Sequence, residues 1–151
     1  MGFSFPLQAL LNWKQSLEEY SQMRLAEMIT RLRAQEQEIE KLTLKRISYE
    51  QKLKEKSQQG IGGEEYRLYK QFAEDSRRDL LSQEERKRGT LKEIDKEREK
   101  LIALTKEKKI LEKLKEKQFK NFVYQAEKAE QKQNDEMTTM KYQPSFKRRT
   151  S

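Results

Sequence analysis

Gly60-Ile61-Gly62-Gly63 gathers three of the chain's five glycines at one place. The stretches on either side hold almost no helix breaker, and the only prolines, Pro6 and Pro144, stand near the ends. One short turn therefore divides the chain into two helices, and its brevity makes them antiparallel. The reading is all-α: a long two-helix antiparallel coiled-coil hairpin, a rod rather than a globule. The expected boundaries are helix 1 over about 4–58, a turn at 59–63 and helix 2 over about 64–140, so that the hairpin occupies 1–140 and a basic disordered tail 141–151.

Composition agrees with a seam better than with a core. Charged residues make up 40% and hydrophobic residues 33% of the 151 positions, which is too polar for an ordinary packed globule. A two-helix seam needs only about two buried residues in seven. Disorder is the competing explanation for such polarity, but apolar residues recur at regular spacing through both halves.

Helix 1 is expected to begin near Ser4, a suitable N-cap, with Pro6 tolerated in the first turn. Its seam then reads Leu25, Met28, Leu32, Gln35, Ile39, Leu42, Arg46, Tyr49 and Leu53, alternating steps of three and four. Leu10, Trp13, Leu17 and Tyr20 repeat that spacing one residue out of phase, which an eleven-residue step through Leu17, Ser21, Leu25 and Met28 would absorb. Helix 2 opens on Glu64 and Glu65, acids suited to a helix N-terminus. Its apolar positions include Tyr66, Tyr69, Phe72, Ala73, Leu80, Leu91, Ile94, Leu101, Leu104, Leu111, Leu114, Phe119 and Phe122. Gly89 interrupts it at a cost of about 1 kcal/mol relative to alanine.

In an antiparallel hairpin, facing residue numbers add to a constant set by the turn, here about 121–122. Under that rule Leu53 meets Tyr69, Tyr49 meets Phe72, Leu42 meets Leu80, Met28 meets Ile94, Leu17 meets Leu104 and Leu10 meets Leu111. Ile39 meets Gln83, a polar mismatch that helps fix register. Phe3 meets Phe119, so residues from about 123 to 140 extend beyond helix 1 without a partner. That overhang can form a helix but lacks an apolar stripe. It is a candidate for ordering on another protein, the plain alternative being a frayed end. Regular structure is expected to end after Tyr142, at Gln143-Pro144-Ser145.

The absences exclude much chemistry. With no cysteine and no histidine, disulfides, thiolate or imidazole metal sites and Ser-His-Asp triads are ruled out. No G-x-x-x-x-G-K-[ST] phosphate loop is present. No enzyme activity and no cofactor are expected. No apolar run reaches the ~18–20 residues of a membrane span. Phe3-Ser4-Phe5-Pro6-Leu7 is too short for a signal peptide, and Pro6 stands where a myristoylation signal wants Ser or Thr. The net charge is +8. Lys141, Lys147, Arg148 and Arg149 follow the last acid, so setting them aside leaves 30 basic against 26 acidic residues, a net +4 over 1–140. Closely mixed signs suit a solvated coiled coil; the tail alone could touch acidic lipid or nucleic acid.

These residues resemble the flagellar FliJ family, small coiled-coil components of the flagellar type III export apparatus. The likeness runs over nearly the whole length. It rests on Phe3-Ser4-Phe5-Pro6-Leu7-Gln8-Ala9-Leu10-Leu11, on Arg46-Ile47-Ser48-Tyr49 with Leu53, and on Gly60-Ile61 followed by Tyr69-Lys70-Gln71-Phe72. Glu112-Lys113-Leu114-Lys115-Glu116-Lys117-Gln118-Phe119 and Glu130-Gln131-Lys132-Gln133-Asn134-Asp135-Glu136 complete it. Each piece is common in coiled coils; their order and spacing are more specific.

The resemblance implies a stalk like the central subunit of rotary ATPases. The end with both termini enters the hexameric export ATPase, FliI; another part binds the export gate protein, FlhA; and unloaded export chaperones are engaged for recycling. It implies gate binding by Leu42, Tyr49, Tyr69 and Phe72, and ring binding by Leu7, Leu10, Leu11, Phe119, Phe122, Asp135 and Glu136, with Lys113, Lys115, Lys117 and Lys120 adding basic character. It further implies a cytoplasmic protein at the inner face of the cell membrane, held there peripherally through the gate, with no nucleic-acid partner. The alternatives are a structural or membrane-bending coiled coil, which needs an extended basic face that mixed charges do not supply, and a nucleic-acid-binding coiled coil suggested by Lys106-Glu107-Lys108-Lys109.

Overall fold

In the computed structural model, which describes the backbone of residues 2–149 and the side chains of residues 2–141, two helices account for almost everything. Helix α1 spans Gln8–Gln59 and α2 spans Gly63–Arg149. They pack against each other as the expected antiparallel hairpin, and the described residues include no strand. Helix α2 as assigned passes the boundary expected near residue 140. The side chains of the expected basic tail, from Tyr142 onward, lie outside the described residues.

Helix α1 starts four residues later than the Ser4 expectation, and proline explains it. A residue that precedes proline is pushed away from helical backbone angles, so Phe5 cannot join the helix. Instead Pro6 and Leu7 form a turn in which the Gln8 N–H donates to the Phe5 carbonyl at 3.1 Å. At the other end, Gly60 takes a φ of 83°, a left-handed conformation that ends a helix at little cost only in glycine. The Tyr66 N–H then donates to the Gly62 carbonyl at 3.1 Å, opening α2. Glu64 and Glu65 occupy its first turn, where the helix dipole favours acids.

The chain divides into two compact units, Met1–Ser16 with Leu104–Ser151, and Leu17–Ala103. In the second, Leu25, Met28, Leu32, Gln35, Ile39, Leu42, Arg46, Tyr49 and Leu53 are all buried or half-buried, as the spacing predicts. The facing row on α2 is Tyr69, Ala73, Ser76, Leu80, Gln83, Lys87, Thr90, Ile94, Glu97 and Leu101. Ile94 is its most deeply buried apolar side chain, at 2% exposure. Leu91 was expected in this row but is exposed, and Thr90 takes its place. Adjacent helical residues point about 100° apart, so only one of the two can enter a seam whose phase Leu80 and Ile94 already fix. Arg31–Glu93 and Lys87–Glu36 bridge the helices at 3.1 and 3.8 Å. Exposed pairs of this kind contribute at most about 1 kcal/mol each.

The eleven-residue step does not occur. Trp13 and Tyr20 are more than half exposed and Leu10 is also exposed, while Leu11, Glu18 and Ser21 are buried. Helix α1 keeps one phase of threes and fours, so Leu10, Trp13 and Tyr20 of the out-of-phase tract turn to solvent while Leu17 stays half-buried. Some polar members of the buried phase are accommodated by bonding, while the buried Gln35 Oε1 makes no hydrogen bond. Within the second unit, the Ser21 hydroxyl donates to the Glu97 carboxylate at 2.8 Å, with both side chains buried.

In the first unit, Phe5, Leu11 and Leu111 form a small core flanked by Phe3 and Leu114. Leu111 is thus served by Leu11 rather than by Leu10. Phe3 meets Phe119 edge-on at 5.3 Å between ring centroids, as the register predicts, and Phe122 at 5.7 Å. The Lys14 ammonium reaches Glu107 at 2.6 Å.

Two substitutions check this packing by chemical denaturation. A Cβ at Gly89 would meet nothing within 4 Å, so Gly89→Ala should raise stability by about 1 kcal/mol. Ile94→Ala should lower it by about 2–5 kcal/mol, the range for a large buried side chain cut back to alanine.

Candidate functional site

Two groups of residues deserve comparison with the implied contacts. In the Leu17–Ala103 unit, the Tyr49 and Phe72 rings stack at 5.4 Å and 30°. Tyr49 occupies the seam, whereas Phe72 is one position off its row and 40% exposed. The pair therefore sits at the edge of the seam, with ring surface open to solvent. Lys45 lies 5.9 Å from the Tyr49 ring and Lys56 lies 4.7 Å from the Tyr69 ring. Leu42 and Tyr69 are half-buried.

A polar clasp not foreseen from the sequence lies beside these rings. The Lys56 ammonium donates to the Glu65 carboxylate at 2.6 Å across the glycine turn. Bonds to Glu65 and then to the Tyr69 hydroxyl push Lys56 above the ordinary lysine range. A raised lysine contributes most below its unfolded pKa and loses that contribution as pH rises through the folded one. The clasp therefore stays charged throughout neutral pH. Leu44, Ile47 and Leu68 are also exposed, and sequence reading passed over them. The available signal was that all three fall outside the buried rows.

In the other unit, the ring-binding candidates separate. Leu7, Leu10, Phe119 and Phe122 are 37–48% exposed. Leu11, by contrast, is 6% exposed and belongs to the core with Phe5 and Leu111. Phe3 and Phe119, with Glu112, Lys115 and Glu116, border a shallow groove of about 400 Å³. Asp135 and Glu136 lie on the part of α2 from Tyr124 to Lys141 where every side chain is exposed. Of the nearby lysines, Lys113, Lys117 and Lys120 are exposed and Lys115 is half-buried.

Among the described residues, no group of three or more acids could hold a metal ion, and no helix is long and apolar enough to cross a membrane. Chemically the surfaces offer rings, aliphatic side chains and fixed charges, which suit recognition of other molecules. Comparison with curated proteins and with solved structures returned no match. The family profile described as "Flagellar FliJ protein" matches residues 3–146, nearly the whole chain. The chain belongs to the FliJ family, a non-enzymatic component of the flagellar protein export apparatus.

Proposed function

We propose that this protein acts as the stalk of the export ATPase, binding inside the hexameric ring of FliI and linking it to the export gate FlhA, with a further role in recycling export chaperones. The observation that carries the ring contact is the α2 stretch from Tyr124 to Lys141, fully exposed and preceded by the exposed rings of Phe119 and Phe122. A polar helix without a neighbour is marginal in water, so a surrounding partner would stabilise it. Leu7 and Leu10 add exposed apolar surface in the same unit. Leu11 acts indirectly, by holding Phe5 and Leu111 together. Asp135 and Glu136 supply charge farther along α2.

The gate contact is assigned to the Tyr49–Phe72 stack, with Leu42 and Tyr69. Stacked rings at a seam edge offer a rigid apolar surface whose ordering cost is already met in the free protein. Gate binding would place the protein at the cytoplasmic face of the membrane without a span of its own.

One stalk cannot contact six subunits identically, so it binds some subunit conformations better than others. That difference in affinity favours ring assembly and biases nucleotide states without any catalytic group on the stalk.

Two experiments separate the contacts. Stoichiometric full-length protein should raise hexamer formation and ATP turnover of the export ATPase. A chain ending at Lys120 should lose that effect while keeping its helical circular dichroism signal. Unchanged turnover with the full-length chain would defeat the ring assignment. In a pull-down, the Tyr49→Ala, Phe72→Ala double variant should lose the gate protein and keep the ATPase. Losing two stacked aromatics at a binding hot spot corresponds to about 2 kcal/mol or more, roughly a thirtyfold weaker contact; undiminished gate capture would remove these rings from the contact.

A further inference from the structure

On the linear sequence, lysines and acids of α2 alternate closely; on the helix they separate. At about 100° per residue, Lys106, Lys109, Lys113, Lys117 and Lys120 fall within about 60° of a single line. All five are exposed, and all lie in one unit. Ile110 and Tyr124 share the line, at 66% and 60% exposure. Of the acids between them, Glu107 and Glu112 point elsewhere and pair with cations off the line, whereas Glu116 borders the line and pairs with its Lys120. Glu107 pairs with Lys14 at 2.6 Å, Glu112 with Lys108 at 3.8 Å and Glu116 with Lys120 at 3.1 Å. Among the described residues, Lys106, Lys109, Lys113 and Lys117 have no acid within ion-pair distance. The buried side chains Leu104 and Leu111 lie on the opposite side of α2, so the lysines point away from them.

We propose that this lysine line is a docking face for an anionic phospholipid surface. Three observations favour lipid. The line is straight over about 27 Å at 1.5 Å per residue from Lys106 to Tyr124, and a flat surface can meet all of it, whereas a nucleic-acid duplex curves away. Its cations are all lysines, which act as flexible point charges; it has no arginine fork for paired recognition of phosphates or bases. Its two apolar members are unpaired and exposed, as suits side chains that enter the headgroup region between snorkelling lysines. The extended basic face that alternating charges seemed to forbid is thus formed by helical geometry. The line shares Lys113, Lys117 and Lys120 with the basic surface implied for the ring contact, and a test with lipid alone reads it apart from that contact.

Flotation with the full chain tests it. Vesicles of phosphatidylcholine with an equal amount of phosphatidylglycerol should carry the protein upward at low salt, and vesicles of phosphatidylcholine alone should not. Binding should vanish at about 0.5 M salt, where screening is strong. Each lysine near such a surface strengthens binding about fivefold, so Lys109→Gln, Lys113→Gln, Lys117→Gln together should weaken partitioning on the order of 100-fold. Glutamine matches lysine in helix propensity, and an unchanged circular dichroism spectrum would verify folding. In a Trp13→Phe background, the Tyr124→Trp variant should shift its emission to the blue on phosphatidylglycerol vesicles. The comparison variant Lys147→Gln, Arg148→Gln, Arg149→Gln should retain flotation. Full flotation by the triple lysine variant, loss of flotation only in the comparison variant, or lysine-dependent retardation of duplex DNA without flotation would each overturn the proposal.

Discussion

A seam between only two helices shelters about two positions in seven, and that limit governs this molecule. Once α1 and α2 adopt a single phase, each residue's fate follows from its place in the count of threes and fours, whatever its chemistry. Ser21, Ser76, Thr90 and Glu97 are buried because they stand in phase; Trp13, Tyr20, Leu91 and Ile110 are exposed because they do not. In a globule with several layers, a second core could cover such rings. Here none does, and the exposed apolar surface becomes available for recognition.

The polar residues in the seam have a second consequence. A seam of leucines alone stabilises several registers almost equally, whereas a buried polar pair is satisfied in only one. The Ser21–Glu97 bond has that character, since sliding either helix would leave a carboxylate without its donor. Lys14 with Glu107 and Lys56 with Glu65 tie the helices at other points, one in each unit. Phe3 against Phe119 and Tyr49 against Phe72 add aromatic contacts in the same antiparallel sense.

Much of this was legible in the residue order. The glycine turn, the α1 row from Leu25 to Leu53 and the pairs Tyr49–Phe72 and Phe3–Phe119 follow from spacing alone. Three kinds of feature were not legible. The start of α1 was misplaced because Pro6 acts on the residue before it as well as on its own position. The phase at Leu10–Tyr20 follows continuity of the helix rather than apolar identity, which in that tract points to the wrong face. The lysine line was hidden because neighbours in sequence are not neighbours on a helical surface. For the candidate sites, sequence located the Tyr49–Phe72 rings but could not reveal that Leu11 is enclosed by Phe5 and Leu111, or that Lys56 closes on Glu65.

The tightness of the glycine turn also orders events in time. Lys56 and Glu65 are nine residues apart in the chain, whereas Lys14 and Glu107 are separated by 93. Closing a short loop is fast and entropically inexpensive, and each contact made there shortens the effective loop for the next. Loop-closure entropy therefore favours joining the helices from Gly60 outward, with the contacts among Phe3, Phe5 and Leu111 the costliest to close first.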